Sequence, residues 1–266
     1  MSRNLEHYFL ATHKIQRIDL PSLDLITMGR ALQSNKIKIL RRVKNVNKQW
    51  NTMHVNFKWN RSRNDTCPLC HKSSETWQHV HRCPCADIQR LRVQQIQELE
   101  TLLINLRTLP ELQHHIIRTM RQWHNDEHIP EGILINSSSE YADDLIVAHK
   151  NQMKVGYDLF VKGFLVREWG MLQRRYYSKE IRDNKYNSVR WTRVLVDKLL
   201  TIGNMIWEER CSILHAEKRS TEEARYREYF YELLLDLKKD PTKVGDISKK
   251  QIKHPWICGT CGSKQT

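Results

Sequence analysis

Apolar residues recur three and four positions apart along most of this chain, the spacing that lines one face of an α-helix. Leu5, Phe9, Leu10 and Ile15 predict a short helix over 3–16. Pro21-Ser22 stops it and caps a second, over about 23–33. Ile37, Ile39, Leu40, Val43 and Val46 make the apolar stripe of a third, over 36–50. Residues 51–66 break the pattern: Val55 and Phe57 alternate among Asn, Thr, Ser and Asp, so the segment reads as extended or looped. Helical spacing resumes over about 86–107 with Ile88, Leu91, Ile96, Leu99, Leu103 and Leu106. Pro110 opens the next helix, with Leu112, Ile116, Met120 and Trp123 on one side.

A polar stretch over 124–139, carrying Pro130, Gly132 and three serines, reads as a linker. Beyond it, Leu145, Met153, Tyr157, Phe160, Phe164, Trp169 and Leu172 predict helix over 142–177. Gly156, Gly163 and Gly170 fall seven apart there, on nearly one face, as a flat strip for a neighbouring helix would require. After a polar turn at 183–188, Trp191, Val194, Leu195, Leu199, Ile202, Ile206 and Leu214 define another helix. A last amphipathic helix is expected over 221–239, with Thr221 and Glu222 at its start. The expected division is 1–124, a linker at 125–140, a helical domain over 141–239, and a loose basic tail over 240–266.

Glycine and proline together number 16 of 266 residues, which favours helices over a sandwich or barrel. The expected fold is mainly α: helical bundles around a small metal knuckle, with little or no β-sheet. No N-terminal apolar core of a signal peptide and no 18-residue apolar run is present, so a reducing, intracellular compartment (nucleus or cytoplasm) and no membrane are expected. In such a compartment CxxC pairs bind metal more often than they form disulfides.

The strongest chemical signal is Cys67-Pro68-Leu69-Cys70 followed by His79 and Cys83, a C-x2-C-x8-H-x3-C spacing. Two thiols three apart share one ion on a tight turn. His79 and Cys83, four apart, lie one helical turn from each other. Ser73 or Ser74 would cap that helix, and Glu75 suits its positive end. Four N/S ligands match tetrahedral zinc, and a closed Cys3His set leaves no position for water, which marks the site as structural. His71, His81 and Cys85 lie close enough in sequence to compete as ligands. Near the C-terminus His254, Cys258 and Cys261 form part of a candidate second metal site, to which Cys211 and His215 would lend a pair from a distance.

Charge is uneven. The net charge is +14, and residues 1–63 hold 13 Lys/Arg against three Asp/Glu. Lys36, Lys38, Arg41, Arg42, Lys44 and Lys48 form the densest run, and Lys58, Arg61 and Arg63 follow. Such a field attracts a nucleic-acid backbone; its bland counterpart is a solvated helix face. Trp50, Phe57 and Trp59 lie among these cations, where they either stack bases or form the apolar lid of the metal module, the lid being the stronger expectation.

Tyr141-Ala142-Asp143-Asp144 spells the YADD box of reverse transcriptases. Two-metal phosphoryl transfer needs a third carboxylate on an earlier strand and a sheet to hold all three, and the upstream sequence is helical. The two aspartates fit a helix N-terminus instead. No phosphate loop, nucleophile elbow or H-E-x-x-H is present, so no enzymatic activity is expected.

The metal motif with Glu75 and Thr76 resembles the zinc-binding region downstream of the polymerase in retrotransposon reading frames, especially non-LTR types. Gln152-x-x-x-Gly156-Tyr157, Gly163-Phe164-Leu165, Trp169-x-x-x-Gln173, Trp191 and Trp207-x-x-Arg210-Cys211-x-x-x-His215 are similar to later boxes of those polyproteins, with Cys211 where the family's box has Asn. The resemblance spans about 35–220. It implies that Cys67, Cys70, His79 and Cys83 hold zinc and that the polymerase part of the family is not in this chain. It also implies a retroelement-derived protein that binds RNA or single-stranded DNA through its basic N-terminal face, with a reverse transcriptase or other retroelement protein as a candidate partner. The competing expectation is a helical protein-interaction module, or a relic reading frame without present activity.

Overall fold

The structure, a computed structural model, describes Asp24, residues 50–132 and residues 139–239, with side chains described as far as residue 216. These residues are mainly helical with no strand among them; the β features are an isolated antiparallel bridge between Thr66 and Ser74 and a single bridge residue at Val166. The helices are α1 (Met53–Lys58), α2 (Trp77–Arg82), α3 (Ala86–Asn105), α4 (Pro110–His124), α5 (Ala142–Val155), α6 (Tyr157–Val161), α7 (Arg167–Tyr176) and α8 (Ser188–Lys239). A π-helical turn, Tyr177–Ile181, continues α7. The helices expected over 3–16 and 23–33 and most of that over 36–50 lie outside the described residues.

The framework is an antiparallel pair, α3 and α8. Trp191 Nε1 donates to Thr108 Oγ1 (2.9 Å) at one end. Lys198 Nζ donates to Gln95 and Glu98 midway (3.0 and 2.8 Å), and Arg210 reaches the metal module at the other end. Ile88, Leu99 and Leu103 of α3 and Leu195, Leu199, Ile202 and Ile206 of α8 are buried in one core, which Leu112, Ile116 and Met120 of α4 join. No described helix is long and apolar enough to cross a membrane.

Three local expectations are corrected. Residues 51–66 contain α1, because Thr52 Oγ1 accepts the Val55 N–H (3.3 Å) and caps a helix that the Val55/Phe57 alternation had disguised. The two helices expected over 191–214 and 221–239 are one, α8, about 78 Å long at 1.5 Å per residue. Between Gly203 and Pro241 there is neither glycine nor proline, so Thr221 has no break at which to act as a cap. The helix expected over 142–177 is three pieces. Gly156 ends α5 with φ 98°, and Gly163 turns the chain after α6 with φ 84°. Both are left-handed positions that glycine takes without a Cβ penalty. Only Gly170 is helical; a Cβ there would lie 3.0 Å from Thr192 Oγ1, so α7 and α8 approach closely at that one point.

Two buried glutamines fix these turns. Gln152 Oε1 accepts from the Val166 N–H and Trp169 Nε1 (both 3.1 Å), and its Nε2 donates to the Phe164 carbonyl (3.2 Å). Gln173 Oε1 accepts the Leu109 N–H (3.1 Å), and its Nε2 donates to the Arg107 carbonyl (3.2 Å). Packing is continuous across 125–140. Asp158 accepts from Gln78 Nε2 (2.9 Å) and Trp123 Nε1 (2.8 Å), and Trp77, Trp123, Phe160 and Trp169 share the core.

Candidate functional site: a Cys3His metal centre on a tryptophan box

The knuckle is built from the backbone outward. The Cys67 N–H donates to the Ser73 carbonyl (2.8 Å) and the His71 N–H to the Cys67 carbonyl (2.9 Å), with His71 in a left-handed conformation at the turn. The Thr66–Ser74 bridge closes this loop. Thr76, rather than Ser73 or Ser74, caps α2: its Oγ1 accepts the His79 N–H (3.1 Å). Ser74 Oγ is drawn away to Asp65 (2.6 Å) and His54 (3.2 Å). Cys83 is the residue at which α2 ends, four after His79.

Cys67, Cys70, His79 and Cys83 bring one ligand atom each to within 4.8 Å of one another. The Cys67 and Cys83 sulfurs are 3.8 Å apart, and Cys70 Sγ is 3.3 Å from His79 Nε2. A tetrahedral ion about 2.3 Å from each sulfur sets the sulfurs about 3.8 Å apart, so the cluster fits a metal ion and not a disulfide. The Cys83 thiol, hydrogen-bonded to Cys67, holds the Cys67 thiolate well below the ordinary thiol range, so one sulfur of the buried pair is readily ionised. His79 Nδ1 faces Ser73 Oγ (2.9 Å), which leaves Nε2 as the metal-facing atom.

The rival ligands fall elsewhere. His71 is exposed at the turn, and Cys85 is half-buried at the N-terminus of α3, outside the cluster. His81 is fully buried among Trp50, Trp77 and Trp123, with ring centroids 5.5, 4.5 and 5.5 Å away. Burial, reinforced by the charges of His124 and Lys162, keeps it neutral, well below the usual histidine range. Trp207 stacks on Trp50 (4.8 Å, 16°), and Lys162 Nζ lies 4.2 Å over the Trp77 ring. Arg92 Nη1 donates to the carbonyls of His81 (3.0 Å) and His124 (3.2 Å), tying α2 to the end of α4.

The decisive contact at this site joins residues 135 apart. Arg210 Nε and Nη2 donate to Glu75 Oε1 and Oε2 (2.9 and 2.8 Å), with side chains 1% and 0% exposed. The Met53 N–H adds a third bond to Glu75 (2.6 Å). Burial raises the Glu75 carboxyl, and the Arg210 guanidinium opposes that rise. Sequence reasoning placed Glu75 at a helix end and missed its pairing. Its only signal was that both residues sit in the boxes on which the family resemblance rests.

The aromatic residues of the basic segment part company. Trp50 is buried in the box, whereas Phe57 and Trp59 are 46% and 55% exposed and so do not form a lid. Arg61 lies over the Trp59 ring at 4.8 Å, and Lys58, Arg61 and Arg63 are exposed. Lys36, Lys38, Arg41, Arg42, Lys44 and Lys48 lie outside the described residues, as do His254, Cys258 and Cys261. Cys211 and His215 are buried in α8, and the Cys3His group is the only metal cluster among the described residues. Tyr141, Asp143 and Asp144 sit at the start of α5, with Asp144 paired to Arg175 at 2.6 Å.

Comparison with known proteins gives no relative. Family models, curated proteins and solved structures all fail to match this chain.

Proposed function

We propose that the centre holds structural zinc and that the protein binds RNA or single-stranded DNA through the basic segment leading into it. The ligand chemistry supports zinc: three thiolates and an imidazole, with no open position, suit a metal that needs no redox change and no bound water. The observation that carries the nucleic-acid reading is the exposed Phe57–Trp59 pair beside Lys58, Arg61 and Arg63. Large aromatics are left in water at a cost that base stacking recovers, and guanidinium groups beside them meet the phosphates. An origin in the C-terminal part of a retroelement polyprotein is supported by the meeting of its boxes in space: Glu75 with Arg210, Trp50 with Trp207, and Gln152 with Trp169. Polymerase chemistry forms no part of this reading, since Asp143 and Asp144 occupy the first turn of a helix.

The test is a fluorescence titration of zinc-loaded protein against single-stranded RNA, single-stranded DNA and duplex at several salt concentrations. Binding should weaken steeply with salt, and should fall in a Phe57→Ala/Trp59→Ala variant that still melts as wild type. Salt-insensitive association, or no binding by folded protein at low salt, overturns it. The zinc arm is separate: one zinc per chain, lost in Cys70→Ser, is expected, and full zinc content in that variant defeats the ligand assignment.

A further inference from the structure

The opposite end of the α3–α8 pair carries a second group of cations. Between residues 174 and 193 the sequence holds seven Lys/Arg and two Asp/Glu. Both of those carboxylates face other groups. Glu180 accepts from the Tyr141 hydroxyl (3.5 Å), and Asp183 Oδ1 accepts the Lys185 N–H (2.9 Å) within its own turn. Lys179 and Arg175 are paired with Glu140 and Asp144. Arg107, Arg182, Lys185 and Arg190 remain exposed, with no carboxylate paired to any of them among the described residues.

These cations are arranged around an aromatic surface. The Arg107 guanidinium lies 5.2 Å over the Tyr186 ring and the Lys185 ammonium 5.9 Å from it. Tyr186 in turn rests against Tyr177, with centroids 5.8 Å apart. A guanidinium held over a ring loses less freedom when it meets a phosphate. The backbone is unusual at the same place. Arg107 and Arg182 both have left-handed φ, 47° and 49°, which few non-glycine residues adopt, and a π-helical turn separates Tyr177 from Arg182.

We infer that Arg107 and Lys185, set around Tyr186, together with the exposed Arg190 in the first turn of α8, form a second contact surface for a nucleic-acid phosphate backbone. It rests on the nucleic-acid reading above but uses none of the same residues. Trp191 and Arg210 mark the two ends of the helix pair and are 19 residues apart along α8, about 28 Å at 1.5 Å per residue. The partner follows from the chemistry: exposed cations without a paired carboxylate among the described residues, beside tyrosine rings, suit a phosphodiester chain better than an isolated carboxylate.

The experiment compares zinc-loaded full-length wild type with Arg107→Gln/Lys185→Gln/Arg190→Gln and with Lys58→Gln/Arg61→Gln/Arg63→Gln. The probe is one labelled 30-nucleotide single-stranded RNA, titrated across salt. Each lost phosphate contact removes about 0.7 from the slope of log affinity against log salt, so three remove about 2. The first variant should lose that slope and bind at least tenfold more weakly. Wild-type slope and affinity in the folded first variant, with loss confined to the second, would overturn the second surface and leave the first reading standing. Loss confined to the first variant would do the reverse. Absence of binding by wild type would end both. Should Arg107→Gln unfold the α3–α4 turn, Lys185→Glu alone must still weaken binding, and wild-type binding by it would count against the surface.

Discussion

Replacing Arg210 by Met leaves the Glu75 carboxylate in a site where its side chain is 0% exposed, with only the Met53 N–H still bonded to it. Removing one member of a buried pair costs about 3–5 kcal/mol, since the remaining charge is stranded. The cost has an escape. Burial already raises the Glu75 carboxyl, and without the guanidinium it rises further, so the group takes up a proton. A carboxyl whose folded value lies above its unfolded one contributes stability that is present at low pH and lost as pH rises through the folded value. The deficit of Arg210→Met relative to wild type should therefore be small near pH 5 and reach about 3 kcal/mol or more near pH 8. Urea unfolding at both pH values, with zinc present, measures it. Glu75→Gln/Arg210→Met should recover much of the loss, because no buried charge remains. A deficit below about 1 kcal/mol at pH 8, or one independent of pH, would refute the claim that this pair is buried and charged.

Other outcomes follow from the same geometry. Ser73→Ala frees His79 Nδ1 from its partner and should weaken zinc about 10–100-fold in a competition titration without altering the melt of the saturated protein. His115 and His149 share the Tyr157 hydroxyl (3.2 and 2.7 Å), and His149 Nε2 donates to the Pro130 carbonyl (2.9 Å), so the hydroxyl donates to an unprotonated His149 Nδ1 and accepts from His115 Nε2. Burial lowers His115 to about 3, so the unfolded chain binds the extra proton between about 6.5 and 3; stability is lost as pH drops through that range, by up to about 1.4 kcal/mol per unit, and His115→Gln should flatten that slope by one proton. Gln152→Leu strands the Val166 N–H and Trp169 Nε1 and should cost about 2–4 kcal/mol by urea unfolding, whereas a surface Gln94→Leu should cost almost nothing.

The helical class and the Cys3His cluster could be read along the chain because each depends on local spacing. Helix periodicity marks α3, α4 and the first part of α8, and C-x2-C with H-x3-C marks the knuckle. What was illegible depends on distance in sequence. Nothing local tells Trp50 from Trp59, yet one is stacked in the box and the other stands in water. The glycines at 156 and 163 keep a seven-residue spacing with 170, but spacing carries no sign of φ, so turns looked like a helix face. Nor does the polar composition of 125–140 show which bonds span it: Asp158, Tyr157 and Gln173 bond to α2, α4 and the α3–α4 turn.

The Glu75–Arg210 bond also imposes an order on synthesis. The four ligands leave the ribosome well before Arg210, which follows Glu75 by 135 residues, on the order of 10 s at 5–20 residues per second. Throughout that interval the young knuckle holds a carboxylate that its finished surroundings would exclude without a guanidinium. The nascent module is therefore wetter and looser than the mature one, and Trp50 waits for Trp207 over the same interval. A message cut short before codon 207 would yield a chain that still has all four residues of the Cys3His cluster and yet lacks both the charge and the ring that close the site.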